Sequence, residues 1–222
     1  MTPEATSALA LSLRVACLAT LLNAVFGIPL AYVLARRRFR GQTLVDLLVT
    51  LPLVLPPTVT GYYLIVLLGR RGWLGSPLYA ATGWTVAFTW YAAVIAATVM
   101  ALPLLVRTAR AGFEQVHARY EDVAATLGAR PLRVFLTISL PLAWPSVLAG
   151  AVLAFARALG EFGATIVVAG SIPGVTRTLA VAIYADTETG RDAEAFTLLL
   201  ISIGIAFLAL WASNRLVERR TA

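Results

Sequence analysis

The sequence contains no lysine; all 18 of its basic residues are arginine. A P-loop needs a lysine to reach the nucleotide phosphates, and Schiff-base catalysis needs a lysine amine, so neither belongs to this chain. Cysteine and histidine occur once each, as Cys17 and His117. An internal disulfide and any metal cluster of several cysteines or histidines are thereby excluded. Cys17 lies in an apolar run and is expected to be a small packed residue. Charge is scarce too: 13% of residues are charged and 59% hydrophobic. With a mean hydropathy of +0.83, this composition is far from that of a soluble domain.

What the chain does have is long apolar runs. A spanning helix needs about 20 mostly apolar residues, and five stretches qualify: Ser7 to Ala35, Thr43 to Leu68, Thr85 to Val106, Ser146 to Ala169 and Phe196 to Asn214. The expectation is an all-α integral membrane protein of about five transmembrane helices, with residues 1–222 as one membrane domain. The start of the chain carries Glu4 and no arginine before Arg14. It lacks the positive region of a secretory signal, so the first span is expected to be retained. No catalytic or metal-binding constellation emerges. Asp46 and Glu161, the acids within the spans, do not form a convincing aspartyl pair, and His117 lies in a polar loop. An intramembrane enzyme is therefore disfavoured.

The arginines give an orientation. With the loop after the first span in the cytoplasm, twelve arginines fall on the inner side, the last three being Arg215, Arg219 and Arg220. Four fall outside, namely Arg70, Arg71, Arg177 and Arg191. The positive-inside rule then predicts an external N-terminus and a cytoplasmic C-terminus. The net charge of +7 reads as this topology signal and not as a nucleic-acid surface.

One inner stretch stands out. Residues 121–141, EDVAATLGARPLRVFLTISLP, are polar and broken. Glu121 and Asp122 suit a first helical turn, where the helix dipole favours acids. Gly128 suits a left-handed C-terminal position and Pro131 the first turn of a second helix. Ala124, Ala125, Leu127 and Gly128 would give the first helix a small-residue surface. Nine residues separate Gly128 from Ile138-x-Leu140-Pro141. This spacing resembles the EAA loop of ABC-importer permeases, whose pattern places a glutamate and two alanines ahead of that glycine. Counted back from Gly128, Asp122 stands at the glutamate position, Val123 and Ala124 at the alanine positions, and Glu121 lies one residue early.

Two further stretches narrow the resemblance: LPLVLPPTVTGYYLIVLLGRRG, residues 51–72, and AFARALGEFGATIVVAGSIPGVTRTL, residues 154–179. With the loop they look like the permease of molybdate ABC transporters, over nearly the whole chain. The wider group includes tungstate and sulfate permeases. The resemblance implies a type I importer permease fold whose coupling loop, about residues 111–141, docks on a separate ATPase subunit through Glu121, Asp122, Ala124, Ala125, Leu127 and Gly128. It implies two permease subunits, two ATPase subunits carrying ATP and magnesium, an oxyanion-binding protein outside, and no cofactor on this chain. A secondary transporter would work without the ATPase, and the coupling loop argues against it.

The residues themselves suggest where a pathway or gate would lie. Pro52, Pro56 and Pro57 interrupt the second span. Irregular backbone at membrane depth is tolerated where it is buried in protein or lines a wet cavity. Thr58, Thr60 and Gly61 follow, offering hydroxyls and close approach. In the fourth span Arg157 and Glu161 stand four apart, with Thr165 one turn on. The pair reads either as an internal clamp or as positive potential for an anion. Gly150, Ala154 and Ala158, like Ala156, Gly160 and Ala164, have the spacing that favours close helix packing, at a dimer interface or within one subunit.

Overall fold

The protein is described by a computed structural model covering residues 2–221, with side chains through Arg215. The side chains of Arg219 and Arg220, counted above on the inner side, lie outside those described. Three long helices form the centre: α1 (Pro3–Arg36), α5 (Trp90–Gln115) and α8 (Leu140–Leu159). A fourth, α11 (Asp192–Thr221), lies against α8 and keeps most of its apolar surface exposed. At 34 residues, α1 is about 50 Å long at 1.5 Å per residue, well beyond the ~30 Å hydrocarbon layer.

Small residues let the central helices approach. Ala92, Ala93, Ala96, Ala97 and Ala101 of α5 are fully buried. A Cβ on Gly27 of α1 would come within 3.0 Å of Leu105, one on Gly150 of α8 would come within 3.1 Å of the Leu105 carbonyl, and one on Gly112 would overlap Ser146. In lipid, where apolar surface gains nothing by leaving the solvent, such backbone proximity supplies the packing energy. The Gly150, Ala154, Ala158 stripe is buried within the subunit. The second stripe is divided, because Gly160 is exposed at a helix end while Ala164 is buried on another element.

Four described helices are long and apolar enough to span a membrane, and the expected second span differs from them. It consists of α2 (Gln42–Val54) and α3 (Pro57–Leu68), bent by 116°. Single prolines do not cause such breaks here: Pro29, Pro52, Pro103 and Pro145 all lie inside helices. The pair Pro56-Pro57 does. A residue before proline is pushed toward extended geometry, and this acts twice in succession, on Leu55 (ψ 144°) and on Pro56 (ψ 134°). A short α4 (Gly75–Thr82) follows on the way to α5.

The fourth span also departs from expectation. It starts earlier, as a short α7 (Pro131–Val134) and a π-helical turn (Phe135–Ser139) that run directly into α8. It also ends earlier, at Leu159. Residues 160–162 leave the helix, and a separate α9 (Gly163–Val168) follows. Arg157, Glu161 and Thr165 therefore do not share one continuous helical face. Between α5 and α7 lies α6 (Ala118–Thr126), and between α9 and α11 lies α10 (Leu179–Glu188). Cys17, expected to be packed, is exposed.

The two ends of the bundle are distinct. At one, Glu4 faces Arg177 at 3.7 Å, the Ser12 hydroxyl accepts the Leu179 N–H at 2.6 Å, and Arg191 pairs with Asp186 at 2.6 Å. At the other, Arg36 meets α6. The N-terminus thus shares a side with the loop before α10, and the arginine run after α1 shares a side with α6.

Candidate functional site

The polar loop folds as its turn residues predict, although α6 begins at Ala118, so that Asp122 falls beyond its first turn. α6 starts with Glu121 in its first turn and ends in a Schellman motif. The Ala129 N–H donates to the Ala124 carbonyl and the Gly128 N–H to the Ala125 carbonyl, each at 3.0 Å, closing the helix in the pattern that needs a left-handed residue. Gly128 is that residue, at φ +81° with open space where a Cβ would be. Pro131 then opens α7 at its first helical position.

No residue of α6 is buried. Asp122, Ala125, Leu127 and Gly128 are exposed and Ala124 is half-buried. Leu127 is 83% exposed, with Tyr120, Val123, Leu132 and Leu136 exposed nearby. A cluster of apolar side chains is thus exposed on a charged helix–turn–helix.

Glu121 differs from the other residues of the expected docking set. Its side chain is 15% exposed and turned inward. Oε1 accepts from the Arg36 Nε at 2.8 Å and from the Ser139 hydroxyl at 2.8 Å, while Oε2 accepts from the Tyr32 hydroxyl at 3.2 Å. Arg36 also donates through Nη2 to the Val116 carbonyl at 2.6 Å, at the entry to α6. Beneath this network the Tyr32 ring meets Phe113 at 5.4 Å and Phe135 at 4.8 Å between centroids. Sequence reasoning missed Tyr32, Arg36 and Ser139. Arg36 sits in an arginine run that reads as a topology signal, and nothing in the spacing assigns it a partner 85 residues away.

The second candidate region brings α3 and α9 together. Gly61 is required by proximity: a Cβ there would lie 2.7 Å from the Ala164 carbonyl oxygen. A Cβ on Gly163 would lie 2.7 Å from Pro57. Thr60 and Gly61 are buried in this contact, whereas Pro56, Pro57 and Thr58 are exposed at the bend. Inside the elbow is a cleft of about 520 Å³ lined by Leu48, Leu51, Pro52, Leu55, Val59, Thr60, Tyr63, Leu64, Leu67 and Val99. Its lining is almost wholly apolar, so within one chain it does not form an anion site.

Arg157 and Glu161 stand at the break just before Gly163. The Arg157 Nη1 and Glu161 Oε2 are 2.6 Å apart, with side chains 28% and 1% exposed. Glu161 Oε1 accepts the Ala164 N–H at 2.7 Å. One carboxylate therefore bridges the break, reaching back to the end of α8 and forward to the start of α9. Thr165 is buried one turn into α9. The other span acid, Asp46, pairs with Arg110 at 3.1 Å. Among the described residues no group of three or more histidine, cysteine or acidic side chains could hold a metal ion.

The same arrangement of helices occurs in a solved bacterial ABC transporter involved in the import of the acidic polysaccharide alginate. Its chain superposes with a TM-score of 0.78 at 15% identity, covering 100% of this chain and 82% of that one. Among curated proteins, the chain is 49% identical over 212 residues to the molybdenum transport system permease protein ModB of Escherichia coli, covering 95% of this chain and 93% of the relative. It is 35% identical over 217 residues to the sulfate transport system permease protein CysT of Salmonella typhimurium, covering 98% and 78%. The family model for the binding-protein-dependent transport system inner membrane component matches residues 27–222, and the chain belongs to that family.

Proposed function

We propose that this chain is the permease subunit of an ABC importer that carries molybdate inward across the cytoplasmic membrane. The observation that carries the reading is α6: a short helix that buries none of its own residues and ends in the exposed Leu127, on a bundle otherwise built for lipid. Such a helix is useful only against another protein. With no lysine for a P-loop, that protein is the ATPase, where ATP and magnesium are bound and hydrolysed; this chain carries no cofactor and catalyses no hydrolysis. The choice of molybdate over sulfate rests on the higher identity to the molybdenum permease.

In this reading two permease subunits pair and two ATPase subunits dock on their α6 helices. A binding protein delivers the oxyanion at the opposite end. The α6 side is cytoplasmic, which puts the N-terminus outside and the C-terminus inside, in accord with the arginine distribution. Asp122, Ala124, Ala125, Leu127 and Gly128 form the docking surface. The α2–α3 bend, with Pro56, Pro57 and Thr58 exposed, faces the pathway, while Thr60, Gly61 and Thr165 pack behind it. Arg157, whose guanidinium retains some exposure, biases that pathway toward anions while Glu161 holds it in place.

The test is complementation. In a bacterium lacking its own molybdate permease, this chain expressed with its ATPase and binding protein should restore molybdenum accumulation at low external molybdate. Restoration should vanish with Leu127→Asp. Failure of the wild-type set to raise cellular molybdenum, with all three proteins present, would remove the assignment.

A further inference from the structure

We propose that Glu121 is the positioning residue through which movement of α6 reaches the membrane-spanning bundle, and that α1 and the π-helical turn receive it. The inference rests on the docking role of α6 proposed above. Among the described residues, every side-chain hydrogen bond and ion pair leaving α6 is made by Glu121. The rest of the helix is exposed or half-buried, so this carboxylate is its polar tether to the bundle.

The donors come from two different elements. Tyr32 and Arg36 are four residues apart on α1 and so share one face. Ser139, fully buried, closes the π-helical turn. Such turns hold one residue more than the α-helix needs and occur often at functional positions. The Glu121–Ser139 bond joins α6 to the last residue of this turn, at the base of α8. Loss of the extra residue from the turn would rotate the α7 side by about 100° relative to α8, one residue's share of an α-helical turn. The aromatic cluster of Tyr32, Phe113 and Phe135 lies under the carboxylate and carries the same displacement into α5. A docked ATPase that pulls α6 therefore acts on α1, α5 and α8 together. The inward direction of Glu121 separates this role from direct contact with the partner.

The test uses the assembled transporter, with permease, ATPase and binding protein in proteoliposomes, and reads ATPase retained per permease, ATP hydrolysed and molybdate taken up. With Glu121→Gln the ATPase subunit stays bound in the wild-type ratio, and molybdate moved per ATP falls about tenfold, the scale of one lost charge-assisted hydrogen bond. Reversing the pair, Arg36→Glu with Glu121→Arg, recovers part of that ratio. Loss of the ATPase subunit from Glu121→Gln would instead make Glu121 a direct contact and overturn the proposal, as would an unchanged uptake per ATP. If Glu121→Gln does not assemble, Tyr32→Phe with Ser139→Ala removes two donors and keeps the carboxylate. This double variant removes two hydrogen bonds to the charged carboxylate and should lower uptake per ATP by about tenfold or more, and an unchanged ratio overturns the proposal equally. Wild-type vesicles that hydrolyse ATP and take up no molybdate overturn the functional reading itself, and this inference with it.

Discussion

Replacing Arg157 by leucine removes the cation facing a carboxylate that is 1% exposed. Glu161 would keep one satisfied oxygen, since Oε1 still accepts the Ala164 N–H, but Oε2 would lose the ion pair that neutralises it. Breaking a buried pair in this way costs on the order of 3–5 kcal/mol, or a factor of roughly 10² to 4 × 10³ in the folding equilibrium. The reverse replacement is gentler. Glu161→Leu leaves Arg157, whose side chain is 28% exposed and long enough to carry its charge toward a wetter surface. What it loses is the acceptor for Ala164, about 1–3 kcal/mol. Arg157→Leu should thus be the more damaging single change, and the double variant should recover most of the loss, because only the Ala164 N–H stays unpaired. Membrane proteins in detergent commonly unfold irreversibly, so the half-life of the monodisperse protein at a fixed temperature is the quantity to read. A double variant no more stable than Arg157→Leu, or a Glu161→Leu loss exceeding the Arg157→Leu loss, would refute the bridge. Uptake measured on the same double variant separates the anion role: the bridge alone predicts normal transport, and a pathway role for Arg157 predicts none, with Arg157→Lys retaining part.

Other positions give independent outcomes. Gly61→Val places a side chain against the Ala164 backbone and should destabilise the subunit by about 1–3 kcal/mol through overpacking, read as a shortened half-life in detergent. Gly128→Ala has room for its methyl group but must adopt a left-handed backbone, a strain of roughly 1–2 kcal/mol; it should weaken coupling modestly and leave membrane insertion intact, as seen by uptake and membrane yield. Leu127→Asp puts a charge on the most exposed apolar side chain of the loop and should release the ATPase subunit on co-purification without changing permease yield. A reporter inserted near Gly190 should be external and one fused after Arg220 cytoplasmic; both on one side would break the topology.

The parts of this architecture that depend on local chemistry were legible in the sequence. Gly128 and Pro131 announce the end of one helix and the start of the next, and both occupy the expected conformations. The apolar runs locate the spanning segments because a membrane demands length and apolarity from each segment separately. What was not legible depends on contacts between distant segments. Pro56 and Pro57 mark a break in the second span, but its 116° angle and the close packing of Gly61 on Ala164 and of Gly163 on Pro57 are not encoded by any local pattern. The fourth span reads as continuous from Ser146 to Ala169 because Leu159, Phe162 and Ile166 keep the apolar character across the break. In the structure the helix ends at Leu159, and the carboxylate of Glu161 reaches to both sides of the break. Glu121 reads as a surface acid by its neighbours in sequence. Its inward direction follows from Tyr32, Arg36 and Ser139, which lie in other elements.

ATP-driven uptake by the purified transporter tests the central claim most directly. Proteoliposomes holding this permease and its ATPase, with the molybdate-loaded binding protein added outside, should accumulate molybdate when ATP is enclosed. They should accumulate little when the ATPase subunit is omitted, and little sulfate under the same conditions. Equal accumulation with and without the ATPase subunit would contradict the account.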